Sequence, residues 1–177
     1  MKTIAEMTTI ELAAYVCTKL RENNIDTTLS GGFCTEIYSH GAYTSMDIDL
    51  INKYNDDHKR IIKIMIDLGF TQEGRYFFRE DAEYAIEFPS GPPAIGHELI
   101  KNFAEIETDV GVLRILTPTD AIKDRLVGYY HWNAERNLEQ ALWVAKATVF
   151  DMENLRAWSE KEESLEKFEI FLAKLQL

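Results

Sequence analysis

Basic residues are scarce in this chain: 19 lysines and arginines stand against 30 aspartates and glutamates, a formal net charge of -11. A surface of that sign repels the phosphate backbone and excludes broad, salt-driven binding to nucleic acid, although it leaves room for a local basic pocket that takes one nucleotide or an RNA end. Cysteine is nearly absent. Cys17 and Cys34 make no disulfide framework and have no Cys or His at zinc-ligand spacing, so both read as small buried hydrophobes. No apolar run approaches the length of a membrane-spanning helix, and the opening MKTIAEMTTIELAAY is acidic where a signal peptide needs a basic end. The expectation is a cytoplasmic protein with no membrane partner. Proline is rare and clustered, with Pro89, Pro92 and Pro93 among only four, so 89–96 is expected to be a stiff loop.

What remains is ordinary globular material. A chain of 177 residues with 46% hydrophobic and 28% charged content can bury one sizeable core. Thr8 and Glu11 form a capping-box pattern that opens a helix whose apolar positions Leu12, Tyr15, Val16 and Leu20 face inward, and Asn23 and Asn24 close it. A strand over 25–30 follows. Asp56 or Asp57 caps a helix through Ile61, Ile62, Ile64, Met65 and Leu68 that Gly69 ends. Short strands are expected over 76–78 and 84–88, then a hairpin turning at Asp109-Val110-Gly111, then helices from Thr117 to the end. The charged run Glu160-Lys161-Glu162-Glu163 reads as a solvated connection, and Tyr129-Tyr130-His131-Trp132 as helix packing.

Chemistry concentrates in LSGGFCTEIYSHGAYTSMDIDLI, residues 29–51. Gly31-Gly32 let the backbone turn and approach a ligand closely, and the helix that follows would aim free N–H groups at an anion, with Ser30 adding a hydroxyl. In Asp47-Ile48-Asp49 the strand period puts both carboxylates on one face, where they repel one another unless a divalent cation lies between them. Glu87 is an acid within an otherwise apolar strand, on the side opposite Tyr84, Ile86 and Phe88. Either half of the motif alone is commonly a turn or a solvated strand face. The order strand, Gly-Gly, helix, Asp-x-Asp strand sets a phosphate cradle beside metal carboxylates.

Those residues resemble the signature of the nucleotidyltransferase superfamily that includes DNA polymerase β, and most closely its AbiEii/AbiGii-type toxin branch. The resemblance covers roughly 25–145 and implies an α/β (α+β) fold: a mixed β-sheet flanked by helices over 1–116, then a C-terminal helical region over 117–177 packed on that core. It also implies Mg²⁺ or Mn²⁺ held by Asp47, Asp49 and Glu87, an NTP substrate held by Ser30, Gly31 and Gly32, and Lys123 and Arg125 as nucleotide-binding cations, with Arg136 as a further candidate. The activity implied is transfer of an NMP group to a hydroxyl on a protein, an RNA end or a small molecule, and the toxin-like branch adds an antitoxin-like protein partner. The stretch 136–140 departs from that branch by carrying Asn137 and Gln140 where acids are expected. That departure keeps a second reading open, a module that binds nucleotide or protein without transfer. A phosphate-ester hydrolase using the same carboxylates is a third.

Overall fold

The computed structural model describes residues 2–53 and 58–176, so the helix cap expected at Asp56 or Asp57 lies outside the described residues. Helix α1 (Thr9–Glu22) starts where the capping box predicts: Glu11 N–H donates to Thr8 Oγ1 at 3.3 Å, and Thr8 N–H donates to Glu11 Oε2 at 2.8 Å. Two orphan donors of the first turn are thereby satisfied. Asn23 caps its other end and Asn24 turns the chain at φ +59°. Strand β1 (Thr27–Ser30) leads straight into helix α2 (Gly31–Tyr38), and β2 (Asp47–Asn52) returns antiparallel to β1. After α3 (His58–Asp67) come the short strands β3 (Thr71–Glu73), β4 (Tyr76–Phe78) and β5 (Ala85–Glu87).

Two further strands, β8 (Phe103–Thr108) and β9 (Gly111–Leu116), complete a mixed seven-stranded sheet in the order β3-β4-β5-β2-β1-β9-β8. Within it β2 runs parallel to β5, and β1 parallel to β9. Alternation along β2 fixes what each side does. Ile48 and Leu50 are fully buried on one side, while Asp47 and Asp49 keep partial exposure on the other. Helix α1 lies along β9, β1 and β8 with Ala13, Val16, Cys17 and Leu20 sealed in the core. Cys34 is buried as well.

From Thr117, which caps with its hydroxyl and has Pro118 just behind it, the chain is helical: α4 (Pro118–Trp132), α5 (Glu135–Ala147), α6 (Met152–Lys161) and α7 (Leu165–Leu175). Helices α4 and α5 pack on α2, and α4 also on β9. The result is an α/β fold in which a mixed sheet is flanked by helices, seven α-helices among the described residues. None of the described helices is long and apolar enough to cross a membrane.

Three local expectations are corrected. The proline-rich stretch is not loop throughout, because Ala94–Ile95 forms β6 and pairs with β7 (Glu98–Leu99) across a turn at Gly96. Ile95 earns that order by burial, its carbonyl accepting from Trp158 Nε1 at 3.4 Å. The same stretch packs at the far end of β2 from Asp47: Gly91 sits so close to the Asn52 carbonyl that a Cβ there would lie 1.8 Å from its oxygen. The run 160–163 is not uniformly solvated either. Glu162 is buried, accepting from the His97 N–H at 2.8 Å and approached by His97 Nδ1 at 3.2 Å and His131 Nε2 at 3.1 Å. Tyr129 and Tyr130 are helix packing as expected, but Trp132 is 74% exposed.

Candidate active site

Register across four strands lines up one row of side chains. Ser30 on β1 pairs with Asp49 on β2, Asp49 with Glu87 on β5, and Glu87 with Tyr76 on β4. Directly paired residues share a face, so the row runs across one side of the sheet in steps of about 4.8 Å. Asp47, two residues before Asp49, joins the same side. Asp47, Asp49 and Glu87 each offer an oxygen, and the three oxygens lie within 4.8 Å of one another.

Such crowding has an electrostatic cost. Burial, with the charges of Asp47 and Glu87 added, pushes the Asp49 carboxyl up to about 7, against the opposing pull of Arg125. Burial also raises Glu87, which Asp47 pushes further and Arg75 opposes. Arg75 Nε stands 3.4 Å from Glu87 Oε2. Three hard carboxylate donors crowded on one side of the sheet are a donor set that suits a divalent cation of the Mg²⁺ or Mn²⁺ kind.

Beside the triad, α2 begins at Gly31 with φ +69°, and the space a Cβ would need is filled by Asp49, whose Oδ2 would lie 1.9 Å away. Gly32 is also confined: a Cβ there would lie 2.6 Å from Ser45 Oγ and 3.3 Å from the Tyr43 ring. Ser30 makes no capping hydrogen bond with its side chain, so the first N–H groups of α2 have no side-chain cap. The expected cradle of Ser30, Gly31 and Gly32 is therefore in contact with the triad.

The cations divide. Arg125 donates to Asp124 Oδ2 from Nη2 at 2.5 Å and to Gln140 Oε1 from Nη1 at 3.1 Å, and it is one of the charges acting on Asp49. Lys123 lies elsewhere. It is 1% exposed, its ammonium bonded to Glu98 Oε1 at 2.9 Å and 3.4 Å from Asp120 Oδ1, with the Trp158 ring centroid 6.0 Å away. The expectation that Lys123 faces the nucleotide is corrected on that ground: one step along a helix turns a side chain by about 100°, which points Asp124 toward Asp49 and Lys123 to another side. His131 is taken up by Glu162.

Some neighbours of the site were not singled out in the sequence. Trp143 is one: it follows the candidate Arg136 and the departing Gln140 at helical spacing on α5, a stripe that could have been noticed. Trp143 stacks on Tyr43 with ring centroids 6.2 Å apart, and Arg136 lies over the same tyrosine ring at 5.5 Å. Asn137 fills the space beside Gly128, where a Cβ would lie 2.0 Å from its Nδ2, so Asn137 and Gln140 are packed residues rather than vacated ligands. Arg75 and Tyr76 gave no signal, because their place beside Glu87 depends on a strand register that the sequence does not display.

No family model matches the sequence, and no curated protein matches it. Among solved structures, the chain is similar to the crystal structure of an antigenic nucleotidyltransferase-like protein from Paracoccidioides brasiliensis, with a TM-score of 0.57 and 14% identity over 91% of this chain and 93% of that one. It is also similar to the solution structure of the antibiotic-resistance factor ANT(2'')-Ia, with a TM-score of 0.52 and 16% identity over 88% of this chain and 93% of that one. The likeness spans most of both chains in each case, and the fold of this protein is that of nucleotidyltransferase-like proteins.

Proposed function

We propose that the protein transfers an NMP group from an NTP to a hydroxyl acceptor. The observation that carries this reading is the contact between Gly31 and Asp49, which welds a phosphate cradle to a three-carboxylate cluster. Asp47, Asp49 and Glu87 would hold the divalent cation, which when bound supplies charge neutralisation at the phosphates and a lower pKa for the acceptor hydroxyl. Ser30 and the N–H groups at Gly31 and Gly32 would hold the triphosphate tail. The acceptor oxygen forms a bond to the α-phosphorus, the bond from that phosphorus to the bridging oxygen breaks, and pyrophosphate leaves. Glu87, at the end of the carboxylate row toward β4, would take the proton released by the acceptor. Arg125 supplies counter-charge behind Asp49, and the cradle keeps the leaving group aligned.

The toxin-like role and its antitoxin partner rest on the sequence resemblance alone. Transfer is tested by incubating the protein with each NTP labelled at the α-phosphate, Mg²⁺ or Mn²⁺, and cell extract, beside Asp47→Ala and Asp49→Ala. Label entering protein, RNA or small molecules only with the unsubstituted chain supports the transferase. Released NMP without an acceptor product would instead support a hydrolase, and metal-dependent nucleotide binding without turnover a binding module.

A further inference from the structure

We propose that Arg75, Tyr76 and Phe78 form the acceptor subsite, and that it takes a hydroxyl carried beside an anionic group on a flat ring, the chemistry of a nucleotide. This inference rests on the transferase reading and follows the row across the sheet outward. In-line displacement puts the entering oxygen and the leaving pyrophosphate on opposite sides of the phosphorus. The cradle at Ser30 and Gly31 occupies the β1 end of the row, so pyrophosphate leaves there. The acceptor enters from the other end, past Glu87, where β4 supplies the next side chain, Tyr76.

What stands at that end selects a chemistry. Tyr76 and Phe78 share the triad's side of β4, with ring centroids 6.0 Å apart, and Phe78 is 38% exposed. A half-buried tyrosine beside an exposed phenylalanine on a strand offers a face on which a ring can stack. Arg75 adds one guanidinium, its side chain 69% exposed, lying 4.9 Å from the Tyr76 ring centroid and donating to the Tyr76 hydroxyl at 2.7 Å. Its partner Glu87 is a carboxylate of the triad. A cation bound by the triad would compete for that carboxylate, which frees the guanidinium for an acceptor phosphate that it can grip bidentately. A polycationic acceptor would meet Arg75 as a like charge. Glu73, paired with Tyr76 from β3, is an acid on the same side of the sheet and repels an anion from that edge. With a single arginine here and a net charge of -11 overall, binding is local and only weakly salt-dependent.

A free nucleotide and the end of an RNA share this chemistry, and the test separates them. Binding is measured by fluorescence anisotropy with a pentaribonucleotide labelled at its 5′ end and bearing a free 3′ hydroxyl, in Mg²⁺ and a non-hydrolysable ATP analogue, with AMP as competitor. Kanamycin and glycerol are parallel transfer acceptors. The expected result is binding that Arg75→Glu weakens by about tenfold or more and Arg75→Lys by less, while the affinity for the ATP analogue changes less than about twofold. Phe78→Ala weakens the acceptor alone. Competition by AMP at comparable concentration identifies the free nucleotide as sufficient, and its failure identifies the RNA end. Unchanged acceptor binding in Arg75→Glu overturns the proposal, as does kanamycin labelled in preference to the nucleotides or a parallel loss of ATP-analogue affinity, which would assign Arg75 to the triphosphate. Failure of the transferase reading looks different: the ATP analogue then shows no Mg²⁺-dependent, Asp49-dependent binding, whatever the oligonucleotide does.

Discussion

Asp49 occupies the volume that a side chain on Gly31 would fill, its Oδ2 1.9 Å from the ideal Cβ position. Gly31→Ala therefore meets two obstacles, the carboxylate and a φ of +69° that costs an L-residue about 1–2 kcal/mol. The variant should lose metal-dependent NTP binding entirely, since relief of the clash displaces Asp49 from Asp47 and Glu87. Thermal melting with and without Mg²⁺ checks this: the variant is expected to melt lower and to show no Mg²⁺-dependent rise.

The elevated pKa of Asp49 has a signed consequence for stability. Its folded value, about 7, lies above its ordinary value of 3.8, so the folded chain holds this proton more tightly than the unfolded one. In EDTA, stability falls as pH rises through that window and levels off above it, a total of roughly 2–4 kcal/mol. Asp49→Asn should be more stable than the parent at pH 8 in EDTA and no more stable at pH 4, by urea denaturation. Excess Mg²⁺ at pH 8 should return about 1–3 kcal/mol to the parent and nothing to the variant.

Lys123 is expected to hold the fold rather than the substrate. Replacing it with Met leaves Glu98 and Asp120 facing each other without their cation, at a cost of roughly 2–4 kcal/mol in view of the partial exposure of Glu98. Titration of the folded variant with ATP and Mg²⁺ should give the affinity of the parent. A selective loss of nucleotide affinity without loss of stability would restore Lys123 to the phosphate site.

Glu162 works in the opposite pH direction to Asp49. Burial alone would raise its pKa, but the His97 N–H and the two imidazoles outweigh burial and leave it lowered. The stability it contributes is present above the unfolded carboxyl value and is lost as pH falls through the lower folded value. Glu162→Ala should cost about 1–3 kcal/mol at pH 7 and distinctly less at pH 3, in paired denaturation curves.

The triad could be read from the sequence because most of its parts obey local rules. Asp47 and Asp49 are set on one side by strand alternation and Gly31 by the corner it must make, while Glu87 was matched through the family resemblance and reaches Asp49 by the β2–β5 register. Glu162 was hidden for the converse reason: its two imidazoles come from a β-turn and a helix end far away in the chain, so a run of four charged residues looked solvated. Lys123 had the right helix and the wrong side of it. Arg75 depended on the pairing of β4 with β5, which short aromatic strands do not announce.

Tyr43 and Trp143 come from the two halves of the chain and close on each other like the two leaves of a clasp beside Gly32. A chain ending at 116 would keep every carboxylate of the triad yet lose the leaf that α5 contributes, together with Arg125 behind Asp49. The acidic motif is thus portable only as text. Recombination that exchanged the helical half for that of a distant relative would have to bring a matching ring for Tyr43 and a matching cation for Asp49, so the two halves are expected to have changed in step.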